Sequence, residues 1–183
     1  VLGLARGGVP VARVVAETLG ARLDALVVGK LGAPGNPEFA MGAVAGGGHI
    51  VVNDDVPARL GVSAARFEEI VARETAEVAD REHRYRGGRP PTSLTDRIVV
   101  LVDDGLATGS TMAVAIEAVR AGGARRVIVA VPTAPRESLS WLARRADDVV
   151  CVSTPEPFGA VGSSYRDFTQ VADDEVRRAL GTG

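Results

Sequence analysis

"VLGLARGGVPVARVVAETLGARLDALVV" occupies positions 1–28 and reads as strand, helix, strand. "VLGLA" (1–5) is a short apolar run ended by Arg6-Gly7-Gly8, the pattern of a buried strand entering a loop. From Val9 to Leu19 apolar residues recur at helical spacing, at Val11, Val14, Val15, Ala16 and Leu19. Pro10 suits the first turn of that helix and Gly20 its end. "LDALVV" (23–28) is a second strand, running into Gly29-Lys30. Two apolar strands joined by one short helix form a βαβ unit, and such units build a parallel sheet.

The same rhythm returns in the second half. "RIVVLVDD" (97–104) reads as a strand, 109–122 as a helix, "RRVIVAVP" (125–132) as a strand and 135–146 as a helix. "DVVCVS" (148–153) is the last core strand, and a short helix lies near 172–180. The middle is different. "LGAPGNPE" (31–38) has loop chemistry, with Glu38 read as an exposed loop acid, and 39–53 reads as a hairpin around the glycines 46–48. Positions 63–86 form a charged helix with Ser63 as its N-cap and sparse apolar positions at Phe67, Ile70, Val71 and Val78. The expected fold class is α/β: one domain with a central parallel sheet flanked by helices. Residues 31–95 are expected to form a flap insertion, and 153–183 a C-terminal hood. The chain opens on Val1, inside a strand, so a further N-terminal segment is expected in the natural protein.

Composition narrows the functional classes. The chain has 183 residues, 46% hydrophobic and 24% charged, with a net charge of −2. These are ordinary values for a globular domain, and nothing in the bulk charge points to nucleic acid or an anionic membrane. No apolar run approaches the roughly 18–20 residues that span a bilayer. The single Cys151 rules out an internal disulfide framework and fits a reducing compartment, so the cytoplasm is expected. His49 and His83 form no metal-ligand spacing with Cys151.

One stretch resists a packing explanation. In "VVLVDDGLATGSTM" (99–112) four apolar residues run into Asp103 and Asp104. Gly105, Thr108, Gly109, Ser110 and Thr111 follow, entering a helix. In an open parallel sheet, ligands sit beyond the carboxyl ends of the strands. A turn of small residues lets N–H groups converge, and the helix N-terminus and hydroxyls add to an anion cradle. Two carboxylates beside a phosphate must face hydrogen-bond donors instead, and the vicinal hydroxyls of a sugar supply them. A sugar 5-phosphate satisfies both halves. A helix cap would account for one aspartate but not for two, and the spacing is not that of a Walker A loop.

The stretch resembles the phosphoribosyl pyrophosphate (PRPP) binding motif of the type I phosphoribosyltransferases. That resemblance implies that Asp103 and Asp104 bind the ribose hydroxyls and act in catalysis. It also implies that Gly105, Leu106, Ala107, Thr108, Gly109, Ser110 and Thr111 hold the 5-phosphate. "LARGGV" (4–9) is similar to the family's pyrophosphate loop, which puts Ala5, Arg6, Gly7 and Gly8 at the pyrophosphate and a non-proline cis peptide at Ala5–Arg6. Lys30, the only lysine in the chain, is expected at the pyrophosphate as a point charge. "PFGAVGSSYRDF" (157–168) resembles the base-binding segment of hypoxanthine–guanine phosphoribosyltransferases, with Phe158 and Asp167 in the base-binding positions. The implied cofactor is Mg²⁺, carried with the substrate and reached by Asp103 and Asp104. The implied partners are PRPP and a nucleobase-like small molecule, with no nucleic acid and no membrane, in a chain that can form a homodimer.

Two departures bear on the acceptor. Ala107 stands where 6-oxopurine enzymes carry an aspartate that takes the base's proton, and "VPTAPR" (131–136) lacks their lysine. The expected activity is phosphoribosyl transfer from PRPP with release of pyrophosphate. The rival reading is a non-catalytic PRPP- or nucleotide-sensing regulator on the same fold.

Overall fold

The computed structural model describes residues 1–52 and 56–183, with the backbone alone at 37 and 38. In chain order β1 (Leu2–Leu4), α1 (Gly8–Leu19) and β2 (Asp24–Leu26) form the first βαβ unit. A meander follows: β3 (Val28–Ala33), β4 (Asn36–Ala45) and β5 (His49–Val52). Then come α2 (Val56–Arg59) and the long α3 (Ala64–Arg86). The second half alternates β6 (Ile98–Val102), α4 (Ser110–Ala121), β7 (Arg126–Thr133), α5 (Arg136–Leu142) and β8 (Asp148–Ser153). A 3-10 turn (Val161–Ser164) and α6 (Asp173–Leu180) close the chain.

Five strands make one parallel sheet in the order β2-β1-β6-β7-β8. The expected α/β class therefore holds. From β1 the chain leaves through α1 toward β2. From the neighbouring β6 it leaves through α4 toward β7, in the opposite direction along the sheet. That reversal is a topological switch point, which opens a crevice at the carboxyl ends of β1 and β6. Two apolar cores flank the sheet. One joins Leu2, Leu4, Leu101 and Val129 to Met112 and Ile116 of α4; the other joins Val9 of α1 to Ile70, Val78 and Tyr85 of α3 and Val176 of α6. Among the described residues no helix is long and apolar enough to cross a membrane.

The helical expectations match closely except at 135–146, where α5 stops at Leu142. Ser63 caps α3 by accepting the Arg66 N–H at 3.3 Å, and Gly87 ends it in the left-handed region. The hairpin about glycines 46–48 is β4–β5, although Asn53 at its expected end lies outside the described residues.

Two expectations need correction. The strand over 23–28 is two strands in different sheets, and 31–38 is not a loop but the end of β3, a turn at Pro34-Gly35 and the start of β4. Glu38 accordingly has a strand backbone, and its side chain lies outside the described residues. The break falls at Val27, whose backbone leaves the first ladder without losing its partners. Its N–H donates to Glu82 Oε1 at 3.1 Å, and its carbonyl accepts the Gly46 N–H at 3.0 Å. Arg86 holds Glu82 in place at 2.8 Å while donating to Asp24 Oδ1 and the Ala25 carbonyl, each at 2.9 Å. This buried ionic cluster bolts α3 to β2 and turns the chain from the parallel sheet into the three-stranded antiparallel one. Nothing in the apolar pattern of "LDALVV" signals that a carboxylate 55 residues later replaces a ladder bond.

Candidate active site

The site begins where β6 ends. Val102 is the last ladder residue, so Asp103 and Asp104 lie just beyond the strand, at the crevice between β1 and β6. The loop after β1 meets them there at contact distance. A Cβ on Gly7 would stand 1.8 Å from Asp104 Oδ2, and one on Gly8 would stand 2.5 Å from the Val102 carbonyl. At Gly8 the backbone leaves no room for a side chain, and at Gly7 one would displace the Asp104 carboxylate, which accounts for the paired glycines after Arg6. The Ala5–Arg6 peptide is cis.

The two aspartates are unevenly tuned. The Asp103 carboxyl is pushed up to about 7, first by burial and second by the Asp104 charge. The Asp104 N–H donates to Asp103 Oδ1 at 2.9 Å and acts in the opposite direction. Burial also raises Asp104. Among the described residues that N–H is the one hydrogen-bond donor to the pair. Two half-buried carboxylates with so few donors are prepared to accept hydroxyls or a hard cation.

Gly105 to Gly109 carry the chain from the dyad into α4. Gly109 occupies the N-cap at φ 78° and supplies no side-chain cap; the Ser110 N–H donates instead to Thr108 Oγ1 at 3.4 Å. Thr108 Oγ1 and Ser110 Oγ stand 3.0 Å apart. A helix terminus of this kind is suited to an anion. Behind the loop, the Leu106 N–H donates to the Thr133 carbonyl at 3.0 Å and the Ser138 hydroxyl to the Ala107 carbonyl at 2.6 Å.

Opposite the dyad, a cleft of about 430 Å³ is lined by Arg6, Gly7, Asp104, Tyr165, Asp167 and Phe168, among others. The structure thus brings Arg6 and Gly7 of the 5–8 loop, Asp104 and Asp167 to one crevice, with Asp103 adjoining Asp104, while Ser110 and Thr111 at the end of the 105–111 loop face a neighbouring cavity. Arg6 also reaches Asp173 Oδ1 of α6 at 3.5 Å, and the Tyr85 hydroxyl donates to the same atom at 2.8 Å. That hydroxyl is the main cause of the lowered Asp173 carboxyl. Asp167 is exposed and accepts from Thr169 N at 3.0 Å and Thr169 Oγ1 at 2.6 Å, which holds it below the usual carboxylate range. Two expected residues stand apart. Phe158 is half-buried and does not line the cleft; the aromatic wall is Tyr165 and Phe168, their rings 5.0 Å apart. Lys30 projects from β3 into a separate cavity of about 390 Å³ that it shares with Ser110, Thr111 and Trp141.

Tyr165 and Ser138 are the residues that motif reading missed. Tyr165 lies inside the quoted 157–168 stretch, but its partner is the Asp104 carbonyl at 2.5 Å, a main-chain contact that no spacing encodes. Among the described residues no three His, Cys, Asp or Glu side chains gather as a metal site. The two carboxylates suit Mg²⁺ as a partial oxygen donor set completed by substrate oxygens, the habit of an ion that keeps few protein ligands.

A five-stranded parallel sheet with a carboxylate pair and a glycine loop at its switch point defines a class. The phosphoribosyl transferase domain family matches residues 1–166, and the chain belongs to that family. Two Mycobacterium tuberculosis proteins, Rv0571c of strain H37Rv and MT0597 of strain CDC 1551, each bear the name "Putative phosphoribosyl transferase". The chain is 49% identical to each over 176 residues, which is 96% of this chain. It spans 40% of the length of these curated relatives. The crystal structure of TT1426 from Thermus thermophilus is 46% identical, with a TM-score of 0.83 over 98% of this chain and 85% of that one. AQ2163 from Aquifex aeolicus, 17% identical with a TM-score of 0.50 over 88% and 56% of the two chains, shares the fold.

Proposed function

We propose that this chain transfers the 5-phosphoribosyl group of PRPP to a nucleobase-like nitrogen acceptor and releases pyrophosphate. The observation that carries this reading is the contact between Gly7 and Asp104, which sets a glycine loop and a carboxylate pair edge to edge at the switch point. Asp103 and Asp104 accept the ribose 2- and 3-hydroxyls. The loop from Gly105 to Thr111 holds the 5-phosphate at the glycine-led start of α4. Backbone N–H groups of residues 5–8, with Arg6, take the pyrophosphate, while Lys30 on β3 faces the Ser110–Thr111 side of the phosphate loop. The acceptor enters from the Tyr165–Phe168 side, where Asp167 lines the same cleft; Phe158 is kept as a residue of the hood.

The chemistry follows from charge. As the bond from ribose C1 to pyrophosphate oxygen breaks, positive charge builds on the ribose ring, and the bond to acceptor nitrogen forms on the opposite face. Asp103 and Asp104 stabilise that charge through the ribose, an electrostatic contribution of the kind that is often largest in an enzyme. The acceptor's proton passes to solvent, because Ala107 offers no base. Mg²⁺, when bound, neutralises the leaving pyrophosphate. Within the 31–95 insertion α3 is fixed in a core and to β2, so covering the bound substrate falls to the strands before it, and excluding water there protects a reactive ribosyl centre.

The test is calorimetric titration of PRPP with Mg²⁺, followed by a screen for pyrophosphate release across nucleobases. Release with one base names the acceptor. Binding without release for any base selects the regulator reading, and an Asp103→Asn/Asp104→Asn protein that is folded yet binds PRPP normally rejects the ribose assignment.

A further inference from the structure

A loop that aims its N–H groups at an anion must turn its carbonyl oxygens away, since a carbonyl facing phosphate repels it. Those outward carbonyls then need donors of their own. In this chain two of them have side-chain donors from outside the 99–111 motif. The Tyr165 hydroxyl donates to the Asp104 carbonyl at 2.5 Å, and the Ser138 hydroxyl, from the first turn of α5, donates to the Ala107 carbonyl at 2.6 Å. Ser138 is buried, whereas Ala107 is exposed. Water could therefore satisfy the Ala107 carbonyl in any orientation, and the buried serine selects one.

The surrounding contacts fix both donors from behind. Thr133 Oγ1 and Ser164 Oγ are 2.9 Å apart, one residue before Tyr165. A Cβ on Gly105 would lie 2.5 Å from Val161 Cγ1, so the 3-10 turn packs directly on the loop. The Leu106 N–H is already committed to the Thr133 carbonyl, which removes it from the anion and leaves the N–H groups near Gly109 to serve.

We infer that Tyr165 and Ser138 are positioning residues, a two-point hydroxyl clamp that turns the Asp104 and Ala107 carbonyls outward and so presets the phosphate loop. The inference rests on the ribose-phosphate reading of that loop. It also ties the acceptor wall to the ribose site, because Tyr165 lines the cleft with its ring and holds the dyad's backbone with its hydroxyl.

The experiment measures ribose 5-phosphate and magnesium pyrophosphate binding by calorimetry for wild type, Ser138→Ala, Tyr165→Phe and the double variant. The clamp predicts that each single change weakens ribose 5-phosphate about five- to tenfold, the worth of one well-placed hydrogen bond. Magnesium pyrophosphate affinity of Ser138→Ala stays at the wild-type value, a split that general loosening would not produce. Ser138→Thr, which keeps the hydroxyl, retains the affinity. If Ser138→Ala does not fold, Tyr165→Phe carries the same test alone. Variants that bind ribose 5-phosphate as wild type does overturn the clamp while leaving the functional reading intact. A wild-type protein that binds neither PRPP nor ribose 5-phosphate overturns the functional reading, and the clamp falls with it.

Discussion

Replacing Asp103 with asparagine should make the unliganded protein more stable while removing its ligand. A carboxyl at about 7 in the folded chain, against an ordinary 3.8, represents about 4 kcal/mol at full effect. The side chain is largely but not fully buried and its surroundings will relax, so we take about 2 kcal/mol as the realistic share. The sign follows from proton counting. Between pH 3.8 and about 7 the folded state holds more protons on Asp103 than the unfolded state does, so its contribution to stability falls as pH rises through that window. Above about pH 7 the penalty is complete, and below about 4 it is gone. Asparagine keeps the shape and cannot ionise. Urea unfolding at pH 8 should therefore show Asp103→Asn more stable by about 2 kcal/mol, or about 4–8 °C in melting temperature for a chain of this size. The advantage should shrink steadily toward pH 4. Comparing the two proteins at each pH cancels the other titrating groups, including Asp147, Asp167 and Asp173, whose lowered carboxyls act in the opposite sense. A difference that is absent at pH 8, or that does not vary with pH, refutes the reasoning.

Other consequences follow from single contacts. Arg86→Ala leaves Asp24 and Glu82 as uncompensated buried carboxylates, so urea unfolding should show a loss of about 3–5 kcal/mol. Gly7→Ala forces a methyl into the Asp104 carboxylate, and PRPP titration should show at least tenfold weaker binding in a protein that still folds. Binding that requires ionised Asp103 should expel a proton: near pH 7, PRPP titrations in buffers of different ionisation enthalpy should report release of about half a proton, and almost none at pH 9. Phe168→Ala removes one wall of the cleft beside Asp104, so the KM for the acceptor should rise several-fold while PRPP affinity is unchanged.

What the residues disclose in one dimension is what repeats or clusters locally. The spacing of Val11, Val14, Val15 and Leu19 marks α1 as a helix but not its inner face, which is Val9, Ala12 and Ala16, with Val14 and Leu19 exposed. The Ser63 cap and the run from Val99 to Asp104 each encode their structure within a dozen positions. The dyad and the 5–8 loop are legible for the same reason, because each sits at a strand end marked by glycine. The break at Val27 is not, since its cause is Glu82, and Glu82 depends on Arg86 in turn. The turn at Pro34-Gly35 was hidden differently: glycine and proline density resembles a loop whether it marks a long connection or one tight turn between strands. Tyr165 and Ser138 escaped because each acts on a main-chain oxygen, and a main-chain oxygen has no residue type to match.

These long-range contacts share a logic. The site must keep Asp103 and Asp104 half-buried and side by side, an arrangement that burial and mutual repulsion both oppose in the absence of ligand. Local sequence alone does not hold such a pair, because the flanking loop is bounded by glycines at 105 and 109. The restraint therefore comes from distant elements whose own stability does not depend on the dyad. Gly7 and Gly8 close it from β1, Thr133 and Ser138 from β7 and α5, and Tyr165 from the C-terminal segment. The apolar cores on either face anchor those elements, so the dyad's penalty is spread over the whole domain rather than met at the loop. A permissive loop gripped by rigid neighbours can bring a carboxylate pair and an anion cradle within one ligand's reach, which neither a rigid loop with large side chains nor an ungripped one would do.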